Sequence, residues 1–137
     1  MKTLKILSLA SLLSFQAPGK TTIIRDTTKS DPVAVVQQQV DAYNARDINS
    51  FAATYADSVK FYNFPDKFLG EGKDFIRKGY TNLFLRNPKL HCDIRERIVQ
   101  GNTIIDKENI ITDSRHFEAV AIYQVKDGKI ATVFFMR

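Results

Sequence analysis

Two carboxylates placed two residues apart, Asp106 and Glu108, are the side chains of this chain best disposed for acid–base chemistry. In an extended segment that spacing puts both on one face, together with Ile104 and Ile110. Upstream, Arg95 and Arg97 precede Gly101-Asn102, a pair that reads as a two-residue hairpin turn. Counting back from the turn sets Gln100 opposite Thr103, Arg97 opposite Asp106, Glu96 opposite Lys107 and Arg95 opposite Glu108. Three successive opposite-charge pairs support this register, because like charges there would repel. A carboxylate held by arginine in a semi-enclosed cleft can act as a general base or orient a water. Asp106 and Glu108 are therefore the candidate bases, with Arg97 as the orienting residue. Arg97 should keep Asp106 ionised, whereas Glu108, deeper among Phe and Tyr, should be held less firmly charged by desolvation. The same alternation also allows a solvated outer face of ion pairs, with Cys92, Ile94, Ile98 and Ile105 turned inward.

Other chemistry-bearing residues are sparse. Cys92 is the sole cysteine, so the chain has no internal disulfide, and no neighbour in the sequence would activate its thiol. It reads as a small buried hydrophobe. His91 and His116 are isolated, and no spacing suggests a metal cluster. Ten Phe and five Tyr with no Trp suit an apolar pocket and an ordinary core equally. Tyr43, Tyr55, Phe75, Tyr80, Phe84, Phe117, Tyr123 and Phe134 are the aromatics assigned to the inner face. Of these, Tyr43, Tyr80, Phe84 and Tyr123 are the candidate ligand contacts.

The elements that must position these groups follow from periodicity. Asp31-Pro32 supplies an N-cap and a first-turn proline, and Val33, Val36, Val40 and Tyr43 recur at helical spacing, predicting a helix over 32–45. Asp47 can cap a second helix whose stripe is Ile48, Phe51, Ala52, Tyr55, Ala56 and Val59, leading into an apolar strand. A third covers 73–86, with Phe75, Ile76, Gly79, Tyr80, Leu83 and Phe84 on one face, ended by Asn87-Pro88. The period then changes to two. Strands are expected over 90–100, 103–112, 117–125 and 130–136, the last two joined through Lys126-Asp127-Gly128-Lys129. Helices followed by a largely antiparallel sheet make an α+β domain with a concave site between the layers.

Residues 31–137 resemble the nuclear transport factor 2 superfamily, in its SnoaL-like or steroid delta-isomerase-like branch. The resemblance rests on the helix pair meeting at Asn44-Ala45-Arg46-Asp47, on Tyr55-Ala56-Asp57 running into a strand, and on Asp127-Gly128-Lys129-Ile130 before an aromatic final strand. It implies a cone-shaped, curved sheet wrapped by three N-terminal helices around one pocket, and a homodimer paired sheet to sheet. Aligned with ketosteroid isomerases, Gln39 stands at the helix-1 tyrosine, Asn63 at the aspartate base, and Ala121 near the oxyanion-binding aspartate. An amide cannot shuttle a proton as a carboxylate does, so that family's isomerisation mechanism is not carried over. In limonene-epoxide hydrolases a Tyr-x-Asn-x-Pro segment helps hold the attacking water. Phe61-Tyr62-Asn63-Phe64-Pro65 keeps the Asn and Pro, which makes Asn63 a candidate polar anchor, but the Asp-Arg-Asp arrangement is not kept: its Arg position falls at Glu108 and its C-terminal Asp near Phe135. Strands 117–125 and 130–136 carry apolar residues on both faces, which calls for two covers.

The N-terminus reads as a secretory signal. Lys2 and Lys5 precede an apolar run, Ile6–Phe15, of about ten residues, and Ala17 and Gly19 suit the −3 and −1 positions of a cleavage site. Spanning a bilayer takes roughly 20 apolar residues, so the run is no stable membrane anchor. Residues 1–19 are thus expected to be removed, leaving a polar linker at 20–30 and an extracytoplasmic domain. The charge of +5 is scattered among acids without a basic block, which argues against a nucleic-acid partner. Two functional readings stay open. One is binding of a small, apolar or amphipathic molecule with cofactor-free isomerase, hydratase or dehydratase chemistry. The other is a non-catalytic ligand-binding or dimer-forming module.

Overall fold

The computed structural model describes Gly19 and residues 30–137. The expected signal segment and most of the linker lie outside the described residues. Helix α1 spans Pro32–Ala45; the Asp31 carboxylate caps it by accepting from the Val33 N–H at 3.0 Å. It stops where Arg46 turns left-handed (φ 55°), and Asp47 caps the next helix, α2, Ile48–Ala53, through the Asn49 and Ser50 N–H groups. The junction is also a clamp. Asn44 exchanges two hydrogen bonds with the Cys92 backbone, at 2.9 and 2.7 Å, and Arg46 donates to the Leu90 carbonyl. These contacts tie the end of α1 to the edge of the sheet.

The second helix is shorter than its apolar stripe implied. Strand β1, Tyr55–Asn63, begins directly after Thr54, so Tyr55, Ala56 and Val59 belong to the sheet. Tyr55 and Val59 are both fully buried although four residues apart, because the register of β1 on its neighbour shifts between Tyr55 and Lys60. Such an irregularity gives a strand a helix-like apolar interval. Strand β2, Lys67–Glu71, folds back on β1, and α3, Gly72–Arg86, follows with Ile76 and Phe84 buried.

Strands β3 (His91–Gln100), β4 (Thr103–Ile111), β5 (His116–Lys126) and β6 (Lys129–Met136) complete a six-stranded sheet in the order β2-β1-β6-β5-β4-β3. Only β1 and β6 are parallel. Positive φ at Gly101 (57°) opens the β3–β4 turn, and positive φ at both Asp127 (51°) and Gly128 (71°) matches the Asp-Gly hairpin between β5 and β6. Gln100 faces Thr103, Arg97 faces Asp106 and Glu96 faces Lys107. The third expected charge pair fails. A bulge between Ile94 and Glu96 takes Arg95 out of register, so Ile94 faces Glu108, while Arg95 pairs with Asp93 at 3.2 Å.

The sheet is curved and unclosed, with the helices packed on its concave side. Successive cross-strand rows point to opposite faces. Phe61, Val133, Tyr123 and Ile104 form a buried row beneath the helices. The adjoining row, Phe68, Tyr62, Phe134, Ile122, Ile105 and Ile98, runs in register across all six strands on the other face. Phe134, expected inside, is in this outer row and stacks on Tyr62 at 5.2 Å. Ile98 and Ile105 therefore face outward, which leaves Asp106 and Glu108 facing the helices.

Candidate functional site

A cavity of about 330 Å³ lies between the helices and the concave sheet face. Helix α1 contributes Gln39, Val40 and Tyr43 from one face, and α3 contributes Gly79, Tyr80 and Leu83. Cys92, Glu108, Ile110, Ala119, Tyr123, Tyr55 and Phe135 form the sheet wall, with Thr112, Arg115, Phe117 and Arg137 toward the solvent end. A volume of this size, mostly apolar with a few convergent polar groups, is typical of small-molecule sites.

Glu108 is the one carboxylate side chain in this wall among the described residues. Only 6% exposed, it accepts the Tyr123 hydroxyl hydrogen at 2.9 Å. Burial pushes its carboxyl up to about 7; the Tyr123 bond pulls the other way, Asp106 adds to the rise, and Arg97 and Arg137 oppose it. Near neutral pH it therefore exchanges a proton readily inside an apolar enclosure, the condition general acid–base catalysis needs. Burial drives the hydroxyls of Tyr43, Tyr55, Tyr80 and Tyr123 upward, so they stay protonated; that of Tyr123 donates to Glu108, and that of Tyr55 accepts from Gln39. Burial likewise raises the Cys92 thiol, with Glu108 and Asp106 adding to it, which holds it neutral and inert.

Asp106 shares the face of Glu108 but is not part of the cavity wall. It is fully buried, and Arg97 grips it through two parallel bonds, Nε to Oδ1 and Nη2 to Oδ2, each 2.7 Å. Hydrogen bonding to Asp106 raises Arg97 further above its already high value. Arg97 also donates to Gln37 Oε1 at 2.9 Å, and Gln37 donates to Asp41 at 2.8 Å. This chain links the sheet to α1. A forked pair of this kind, with Asp106 fully buried and Arg97 partly so, fixes the geometry of both groups. Arg97 thus orients Asp106, while Glu108 is positioned by Tyr123.

A second polar point faces the cavity from α1. Gln39, 6% exposed, donates from Nε2 to the Tyr55 hydroxyl at 3.0 Å, and its Oε1 is buried without a partner among the described residues. Whichever way the amide is turned, Tyr55 engages one polar atom and the other is open. A buried orphan of this kind costs free energy until a ligand or water meets it.

Of the residues proposed from sequence, Glu108, Tyr43, Tyr80 and Tyr123 line the cavity together. Phe84 does not. It sits behind the wall, edge-on to Tyr43 at 5.6 Å and to Phe51 at 5.5 Å. Asn63 is exposed at the end of β1, opposite Lys67 and Phe135, and outside the cavity wall. The motif position inherited by alignment is therefore displaced from the pocket. Gln39 and Tyr55 were visible as a substituted position and an aromatic. Arg115, Thr112, Phe135 and Arg137 carried no spacing signal, because the β4–β5 turn and the end of β6 converge only in three dimensions.

A curved, open sheet capped by helices over an internal cavity defines the cone-shaped class to which nuclear transport factor 2 belongs. The chain is a member of the SnoaL-like domain family, whose model matches residues 36–133. No curated relative matches it. Among solved structures, an uncharacterized cystatin fold protein from Novosphingobium aromaticivorans is similar, at 24% identity and TM-score 0.73, over 80% of this chain and 100% of that one. An NTF2-like protein of unknown function from Cytophaga hutchinsonii is similar at 14% identity and TM-score 0.68, over 80% and 92%. An LEH-like epoxide hydrolase of Mycobacterium tuberculosis follows at 15% identity and TM-score 0.65, over 76% and 80%. These identities establish a shared fold alone.

Proposed function

We propose that this protein binds a small, largely apolar molecule in the cavity and moves a proton on it, in a reaction of isomerase, hydratase or dehydratase type. The observation that carries the reading is Glu108, a buried carboxyl poised at about 7 and hydrogen-bonded by Tyr123 in a mostly apolar wall. As carboxylate, Glu108 takes a proton from an acidified carbon or a water. As acid, it returns that proton at a second position. Tyr123 steadies the carboxylate through both halves of the cycle, and the open amide atom of Gln39 engages a polar group of the substrate. No step of this proton transfer calls for a cofactor.

The test uses 5-nitrobenzisoxazole, a small aromatic whose ring carbon–hydrogen bond is broken by a base. The base takes that proton, the nitrogen–oxygen bond cleaves, and a coloured cyanonitrophenolate is released. The rate should rise with pH through about 7 and fall at least about a hundredfold in Glu108→Gln, the scale of one general base. An unchanged rate in the variant would remove Glu108 as the base. Binding of the aromatic without turnover in the wild type favours the non-catalytic ligand-binding reading.

The same proposal has the protein exported and dimeric. Lys2, Lys5 and the Ile6–Phe15 run support export. The apolar row from Phe68 to Ile98 supports pairing through the outer sheet face, since Ile98 and Phe68 are 58% and 53% exposed in the single chain.

A further inference from the structure

We infer that the cavity selects an anionic, carboxylate-bearing apolar molecule, its charged group held between Arg115 and Arg137 at the mouth and its apolar body directed inward toward Glu108. This deepens the proposed function by naming a substrate class, and it rests on the cavity being a binding site.

Three observations carry it. First, Arg115, Arg137 and Phe117 all line the cavity, and both guanidinium groups lie over the Phe117 ring, their central carbons 5.9 and 5.5 Å from its centroid. Two like charges over one aromatic ring repel each other, and no carboxylate side chain pairs with either among the described residues. Asp113, close by in the chain, instead accepts the Lys89 backbone N–H at 3.0 Å. Second, the turn that presents Arg115 is built. The Thr112 hydroxyl accepts the Ser114 and Arg115 N–H groups at 3.3 and 2.9 Å and donates to the Arg115 carbonyl, while Thr112 N donates to that same carbonyl at 2.8 Å. Third, exposure grades along the cavity. Arg115 and Arg137 are exposed, Thr112 and Phe117 half-buried, and Glu108, Tyr123 and Gln39 buried. Thr112 lies four positions beyond Glu108, just past the end of β4, about 13 Å along an extended chain, which leaves room for a two-ring carboxylate between them. The guanidinium fork matches a carboxylate in shape and charge, and aromatic backing keeps it in place. The charge of Arg137 is also felt inside, where it opposes the rise at Glu108.

The test compares 1-naphthylacetate with 1-naphthylacetamide, which share rings and shape and differ in charge, by titration calorimetry at neutral pH. The carboxylate should bind about tenfold tighter than the amide, as charge-assisted hydrogen bonds at a half-exposed site imply. In the double variant Arg115→Gln, Arg137→Gln the preference should vanish while the amide binds as before. Both side chains are exposed, so the fold is expected to persist; an unchanged amide affinity verifies that directly. Equal binding of the two probes in the wild type, or a preference that survives the double variant, overturns the anionic selectivity and leaves an apolar cavity intact. Failure of both probes to bind overturns the selectivity together with the cavity as a binding site.

Discussion

Replacing Glu108 with glutamine should make the protein more stable at alkaline pH and change it little at acid pH. The carboxyl titrates at about 7 in the folded chain against 4.5 for its ordinary value, because burial disfavours the anion. A folded value above the unfolded one means that the contribution is fully present below about pH 4.5 and is lost as pH rises through about 7. That interval converts to roughly 3 kcal/mol. Glu108 is only 6% exposed, so solvent screening takes little from it. Glutamine has the shape of the neutral acid and keeps an oxygen for the Tyr123 hydroxyl, so the two proteins should agree within about 1 kcal/mol at acid pH. Urea unfolding followed by circular dichroism, at about pH 5 and about pH 9, measures the difference of the two stabilities. The variant should gain about 3 kcal/mol on the wild type between those conditions, or on the order of 10 °C in melting temperature. Every other titrating group is common to both proteins and cancels. Parallel stability curves for the two across that range would refute the reasoning, since a carboxyl that ionises without cost is not desolvated.

Arg97→Ala should cost about 3–5 kcal/mol in the same unfolding assay, because it leaves the fully buried Asp106 charge unpaired. A loss below about 1 kcal/mol would show that the pair contributes no more than a surface ion pair. Light scattering at micromolar concentration should give twice the chain mass for the wild type and a single-chain mass for Ile105→Lys, whose charge would interrupt the outer apolar row; a wild-type monomer contradicts the sheet-to-sheet pairing. Mass spectrometry of the protein from its native host should find a mature N-terminus near Lys20, and intact Met1 in the cytosolic fraction would sink the export proposal.

Local chemistry was enough to define most of the elements. Asp31-Pro32 and Asp47 announce helix starts, Asn87-Pro88 ends a helix, and Gly101-Asn102 and Asp127-Gly128 dictate tight turns, because each of these residues acts through its own backbone or an adjacent N–H. The turn at Gly101 also set the Arg97–Asp106 register, which is a matter of counting. What required tertiary structure was whatever local periodicity misstates or cannot reach. The Tyr55–Val59 interval mimics a helix because a register shift interrupts β1, and the β3 bulge removes Arg95 from Glu108. Alternation placed Asp106 and Glu108 on one face; only the packing of α1 and α3 decided that this face is enclosed. It also divided the two acids, giving Asp106 to Arg97 and Glu108 to Tyr123 and the cavity. Asn63 shows the converse, a motif position kept in sequence that the strand end carries away from the pocket. Arg115 and Arg137 meet at Phe117 because separate chain segments end at the same rim. Spacing along the chain governs which side a residue faces, and the environment on that side depends on segments far away in the sequence.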